Sequence, residues 1–305
     1  MATQLIGLKS SDYEHPLDRK VLEMLKGKSL FHAAVNGLLN YGYVKWELVA
    51  LKGGYFQITP ESCQDLYSQI VDVQKTLDVL RLPELYTKWD YAVNGYTTGT
   101  KDDTLMVLHS GAIDLLSEQE LRFVVGHEFG HIKSDHVLLH MMADMINAGF
   151  SLIPIIGDFA KASNYLLMYW KRMSEFSADR AGLLACQDID VALDAIIKMA
   201  GIPKKLFGTN ARDGFMEQAK KFSLDLSDFT DKTIKTITIA TSTHPWTVMR
   251  AAELIKWYES GEYQKIIDKY EGKKCPRCGR VVAKDTIVCP VCDKDLSNYA
   301  KNRII

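Results

Sequence analysis

No stretch of this chain is apolar for long enough to cross a bilayer. The most hydrophobic region, 141–170, is broken by Asp144, Asp158 and Lys161, and Pro154 sits inside it. Its longest charge-free interval, Met145–Gly157, has 13 residues, whereas a spanning helix needs about 20. The expected structure there is a buried helical hairpin packed over a neighbouring helix, with a surface touching membrane or a partner subunit as the rival. A secretory leader is not expected either, because Met1–Asp18 carries charges and no apolar run. Charge excess is also missing: 37 Lys and Arg face 38 Asp and Glu, a net charge of -1. That balance offers no general attraction to nucleic acid, which is not an expected partner. Internal repeats and low-complexity segments are absent, and the 25% charged and 47% hydrophobic residues are ordinary for a globular body. The expectation is a soluble, cytoplasmic protein, with peripheral membrane association as the alternative.

What is present is Gly126-His127-Glu128-Phe129-Gly130-His131, an H-E-x-x-H motif. Ser117 and Glu120 form a capping box just ahead of it, so the motif is placed on a helix. Leu121, Val124 and Val125 supply the apolar stripe that anchors that helix in the core. At helical pitch His127 and His131 lie one turn apart and aim both imidazoles at one point. Glu128 can then reach a water held on a metal there without being a ligand itself. Gly126 and Gly130 are poor helix formers, and their presence implies close approach of other backbone or of substrate. His136 and His140 repeat the i, i+4 spacing with Val137 where the Glu would stand. They read as surface histidines, or as residues behind a ligand, rather than a second metal site.

A third ligand is needed, since catalytic zinc usually has three protein ligands and one open position. The extended motif with a third His three residues beyond a Gly is ruled out, because Ser134 and Val137 occupy those places. The best candidate is Glu175, followed at i+4 by Asp179 on a helix expected over about 164–186. Asp179 would accept a hydrogen bond from a ligand imidazole and fix its tautomer. The competing interpretation is an exposed carboxylate pair beside Lys171 and Arg172.

With these residues in place the chain resembles the HtpX and CAAX-prenyl-protease type of gluzincin metallopeptidases. The resemblance rests on H-E-x-x-H at 127–131 and E-x-x-x-D at 175–179. It extends to Asn94-Gly-Tyr-Thr-Thr-Gly before the strand Thr104–His109, and to Ser242-Thr243-His244-Pro245 with Arg250 beyond. It implies that His127, His131 and Glu175 bind zinc and that Glu128 is the general base. It also implies that Asn94, Tyr96, Thr97 and Thr98 lie near an edge strand that pairs with an extended peptide or protein substrate. His244 is similar to the family's downstream histidine, and would donate to the oxyanion that develops during attack. It could equally be a helix N-terminal residue, with Pro245 in the first turn. Many relatives of this type are integral membrane proteins, and the broken apolar region departs from them.

The six cysteines divide. Cys63 and Cys186 stand alone and read as buried, unreactive thiols. Cys275, Cys278, Cys289 and Cys292 form two C-P-x-C knuckles, the spacing of a zinc ribbon, with disulfides or a rubredoxin-like iron as alternatives. One catalytic and one structural Zn2+ are therefore expected. Glu271-Gly272-Lys273-Lys274 is polar and suits a linker, dividing the chain into a metallopeptidase domain, 1–270, and a ribbon module, 271–305. The ribbon is slightly basic and suits docking to a partner better than catalysis.

Elsewhere the pattern predicts helices at Leu17–Lys26, Leu30–Tyr41, Pro60 to about Val79, Asp190–Ala200 and after residue 245. Strands are expected near Gly54–Ile58, Leu85–Trp89, Tyr96–Gly99 and Thr104–Leu108. The fold class is α+β: a helix-rich, zincin-like domain with a small sheet above the motif helix, plus the ribbon. The functional expectation is a zinc endopeptidase. Its rival is an inactive metalloprotease-fold scaffold that binds proteins, chaperone-like, through the hydrophobic hairpin or the ribbon.

Overall fold

The computed structural model describes residues 2–27, 35, 42–147, 154–224 and 246–297. The N-terminal part supplies helices α1 (Ser10–Tyr13), α2 (Pro16–Lys26) and α3 (Tyr43–Gly54). Pro16 opens α2 at a position needing no backbone donor, and the ring of His15 accepts from the Leu17 amide. A small sheet follows, with α4 (Gln64–Thr76) between its strands β1 (Phe56–Gln57) and β2 (Glu84–Lys88). Strands β3 (Gly95–Gly99) and β4 (Thr104–His109) complete it and lead through α5 (Ser110–Leu115) into the motif helix α6 (Glu118–Lys133). Ser117 and Glu120 form the expected reciprocal cap of α6.

Strand order is β1-β2-β4-β3, with β2 and β4 parallel and the outer pairs antiparallel. Alternation along the strands divides the core in two. Leu85, Met106 and Leu108 face the cluster that holds Phe123, Val124 and Phe129 of α6. Tyr86, Leu105 and Val107 face the other way, onto α2, α3 and the helices α7 (Val137–Asn147) and α8 (Pro154–Cys186). Strand β3 is the sheet edge, and both α6 and α7 pack against it.

Among the described residues, helices α6 and α8 make the most extensive contact. The contact is close because it is lined by small residues. A methyl on Gly126 would sit 2.3 Å from Cβ of Ala185, and one on Gly130 would sit 2.7 Å from Cβ of Ala181. The glycines flanking the motif thus admit other backbone. Helices α9 (Ile189–Met199), α10 (Thr209–Leu224), α11 (Thr247–Glu259) and α12 (Glu262–Tyr270) complete the body. The ribbon hairpin β5 (Lys273–Lys274) and β6 (Val281–Val282) follows.

Several boundaries differ from expectation. The predicted helix Leu30–Tyr41 lies outside the described residues, apart from Val35. Helix α3 lies outside the sequence expectation; it starts at Gly42 with φ 69 and runs through Gly54, so the strand expected near Gly54–Ile58 shrinks to Phe56–Gln57. Pro60 does not open α4. The Thr59 hydroxyl accepts from the amides of Glu61 and Ser62, and that turn delays the helix to Gln64. Pro154 starts α8 rather than interrupting it, giving one helix of 33 residues. In the hairpin region Met141, Met142 and Met145 of α7 and Leu167 and Trp170 of α8 are buried together. The polar linker is tied down: Leu5 bridges to Glu271, and the Gly272 amide donates to the carbonyl of Gln4 at 2.8 Å.

Candidate metal centre

The turn spacing of α6 brings Nε2 of His127 within 3.2 Å of Nε2 of His131. From α8, the two carboxylate oxygens of Glu175 lie 3.5 Å from these nitrogens, one each. A tetrahedral ion with ligands at 2.0–2.2 Å spans edges of about 3.3–3.6 Å, and the two nitrogens and the Glu175 oxygens converge at separations close to these. All three residues are buried, at 6%, 5% and 2% exposure, and the exposed-pair interpretation of Glu175 is thereby overturned. The donor set, two imidazoles and a carboxylate, is one that zinc takes with a fourth position left open.

Asp179, one turn beyond Glu175, lies 3.0 Å from Nδ1 of His127. Arg250, arriving from α11, donates to both oxygens of that carboxylate at 2.8 and 2.5 Å. Burial would raise the Asp179 carboxyl, but Arg250 and His127 hold it below the usual carboxylate range. Burial likewise disfavours the His127 imidazolium, yet Asp179 and Glu175 lift it to about 9. At His131 burial prevails over Glu175 and the imidazole falls to about 4.

Glu128 is 3% exposed and points toward β3, where the Thr97 hydroxyl donates to its Oε2 at 2.6 Å. Burial pushes its carboxyl up, and His127 and Thr97 offset this only in part. A methyl on Gly95 would be a tight fit, 3.2 Å from Cδ2 of Leu108 and 3.3 Å from the Val107 carbonyl, and would touch Cγ of Glu128 at 3.5 Å. A cleft of about 350 Å³ opens over the group, walled by Asn94–Thr98 on one side and by Met141, Asp144 and Lys171 on the other. Thr98 donates to Glu47 of α3, a cleft-wall residue that no local pattern flagged. His244 lies outside the described residues.

Of the two expected places for His136 and His140, the surface one does not hold, and His136 takes the other, behind a candidate ligand. His136 is 1% exposed, and Nδ1 of His136 lies 3.1 Å from Nδ1 of His131. His140 lines the cleft, with Nε2 2.7 Å from the Ser174 hydroxyl. The local i, i+4 spacing carried no sign of this burial, because it comes from α8 packing over the turn between α6 and α7.

The four ribbon cysteines gather with ligand atoms within 4.8 Å of one another. Sγ of Cys275 and Cys292 are 3.6 Å apart, and those of Cys278 and Cys289 are 3.7 Å apart. Disulfides need about 2.05 Å; thiolates around tetrahedral zinc at 2.3 Å need about 3.8 Å. The distances suit four thiolates around one tetrahedral ion and not two disulfides. The two knuckles share a backbone pattern, the residue after each second cysteine being left-handed: Gly279 at φ 73 and Asp293 at φ 57. Cys186 is buried as expected, with burial pushing its thiol up to about 12, while Cys63 is half-buried.

An H-E-x-x-H helix beneath a sheet edge, with a carboxylate from a second helix closing the triangle, defines a metal-dependent hydrolase. The model described as "Peptidase family M48" matches residues 64–258, and the chain belongs to that family of zinc metallopeptidases. It is 28% identical over 273 residues to the plastoglobule-localized metallopeptidase 48, chloroplastic, of Arabidopsis thaliana, covering 87% of this chain and 78% of that protein. It is 30% identical over 130 residues to the protease HtpX homolog of Dictyoglomus turgidum, covering 41% of this chain and 40% of that one. Protease HtpX of Acinetobacter baumannii is 26% identical over 135 residues, 34% of this chain and 45% of its own. No solved structure matches. Among the described residues, no helix is long and apolar enough to cross a membrane.

Proposed function

We propose that this chain is a zinc endopeptidase that hydrolyses peptide bonds in its β3-edged cleft. The observation that carries the reading is the 3.2, 3.5 and 3.5 Å triangle of His127, His131 and Glu175. Zinc held there supplies positive charge that polarises a carbonyl and acidifies water. The residues do the rest. Glu128 takes the proton of the attacking water and returns it to the leaving amine. Its buried, raised carboxyl makes it a stronger base than an exposed glutamate. Asp179, locked by Arg250, holds the His127 ring and its tautomer. The outer edge of β3, Asn94–Thr98, offers backbone groups to an extended substrate. His244 is proposed as the oxyanion donor on the strength of the family pattern alone.

The ribbon, 271–305, is proposed as a structural zinc module that docks a partner, supported by its four-thiolate geometry. Peripheral lipid association is a further proposal, supported by the plastoglobule name of one relative.

Glu128→Gln decides the catalytic claim. On an unfolded, casein-like substrate it should lose nearly all hydrolysis while retaining metal. Full activity would dismiss the mechanism and favour the scaffold alternative. Metal analysis should find two zinc ions per chain, one remaining in His127→Ala and one when the four ribbon cysteines are replaced.

A further inference from the structure

His131 is connected to a helix that otherwise takes no part in the metal centre. Between α6 and α7 the chain turns through Asp135 at φ 55, and this lays the His136 ring back against His131. The second nitrogen of His136, Nε2, lies 3.2 Å from Oδ2 of Asp18 in α2. Asp18 and His136 are each 1% exposed. The Asp18 carboxylate is held in turn: Trp170 donates to Oδ1 at 2.8 Å and the Ser177 hydroxyl to Oδ2 at 2.5 Å. Ser177 then accepts from the His15 amide at 2.8 Å.

The chemistry of these atoms permits one arrangement. A ring nitrogen that faces a metal must be bare, so neutral His131 with Nε2 on zinc carries its proton on Nδ1. That proton points at Nδ1 of His136, which must accept and therefore be bare. The single proton of a neutral His136 then sits on Nε2 and points at Asp18, an ionised carboxylate that can only accept. Each ring has one tautomer that satisfies both neighbours.

We infer that His136 and Asp18 are positioning residues for His131, forming a buried hydrogen-bond relay that fixes the plane and tautomer of the second histidine ligand. The inference rests on the zinc reading of His127, His131 and Glu175. His127 is backed directly by a carboxylate, whereas His131 is backed by a carboxylate acting through an imidazole. His140 stands outside the relay: its ring meets Ser174, whose hydroxyl donates to the Lys171 carbonyl at 2.7 Å.

The test uses the full chain loaded with cobalt(II), whose thiolate charge-transfer band reports the ribbon and whose d–d bands, after subtraction of those of the ribbon segment's cysteine site, report the histidine site. His136→Phe should weaken the histidine site against a competing chelator by about 10–100-fold while leaving the ribbon unchanged. His136→Asn keeps an oxygen acceptor where Nδ1 stood and should recover most of that loss, which a purely space-filling role would not predict. In the zinc-loaded protein, nitrogen-15 spectra should show His131 protonated on Nδ1 and His136 on Nε2. Unchanged affinity in His136→Phe overturns the relay. So does a bare Nδ1 on His131 with a third metal per chain, which would mean an ion among His131, His136 and His140. If the wild type takes up cobalt at the ribbon alone, the zinc reading itself has failed, a distinct result.

Discussion

Gly130→Ala should disable the metal centre without touching a ligand. The added methyl would lie 2.7 Å from Cβ of Ala181 and 3.1 Å from Cα of Ala178, both on α8. Carbon pairs rest at about 3.5–4.0 Å, so α6 and α8 must part by roughly 1 Å. His131 is the next residue on α6, and Glu175 lies one turn before Ala178 on α8. The 3.5 Å edge between them then lengthens to about 4.5 Å, beyond the roughly 3.3–3.6 Å that a tetrahedral zinc spans. Folding suffers less. Alanine in place of glycine favours the helix by about 1 kcal/mol, against an overpacking cost of about 1–3 kcal/mol. Net destabilisation is therefore at most about 2 kcal/mol, while a 1 Å misplacement costs about 100-fold in turnover. Zinc affinity, kcat/KM on an unfolded substrate and thermal melting should be measured together. A second substitution, Ala181→Gly, removes the nearest clashing atom and should restore much of the zinc affinity. Wild-type affinity and turnover in Gly130→Ala would refute the claim that helix spacing sets the triangle.

Arg250→Ala leaves the buried Asp179 carboxylate facing His127 without its cation, and breaking such a pair costs about 3–5 kcal/mol. Because the Asp179 carboxyl is held low in the folded state, that stabilisation exists above the unfolded-state pKa and is lost as pH falls through the folded one. The stability gap between wild type and variant, followed by urea unfolding, should thus narrow in acid. A gap that is constant with pH would contradict it. Thr97→Val removes the hydroxyl that lowers the Glu128 carboxyl, which rises further. Since the base works ionised and activity is lost as pH falls through its pKa, the acid limb of the kcat profile should move to higher pH. An unmoved limb would separate Thr97 from the base.

The centre was legible where its geometry is local. His127, His131, Glu175 and Asp179 are pairs one helical turn apart, and the Ser117–Glu120 cap placed α6 within a residue of its start. The two cysteine knuckles are equally local. What could not be read depends on packing between distant segments. Arg250 reaches Asp179 across 71 residues, and His136 reaches Asp18 only because α2 crosses α8. Spacing placed His136 and His140 on a helix and said nothing of what lay over it. Helix α3 carries no side-chain cap at Gly42 to mark its start, and α4 starts later than Pro60 suggests because Thr59 competes for the first backbone amides. The expected strands agree with the sheet to within a residue or two, and β4 is the clearest because burial on both faces gives the continuous apolar run Leu105–Leu108.

The dispersal of the centre along the chain also sets a schedule. During synthesis the motif helix emerges first, but Glu175 follows 44 residues after His131 and Arg250 follows 119 residues after it. At about 5–20 residues per second, the interval to Arg250 lasts roughly 6–24 s. The amides and carbonyls of residues 4–6 wait longer still, until residues 270–272 arrive to pair with them. A nascent chain that carries H-E-x-x-H therefore lacks Glu175 for the next 44 residues, roughly 2–9 s, and lacks the Arg250 clamp on Asp179 for the full 119.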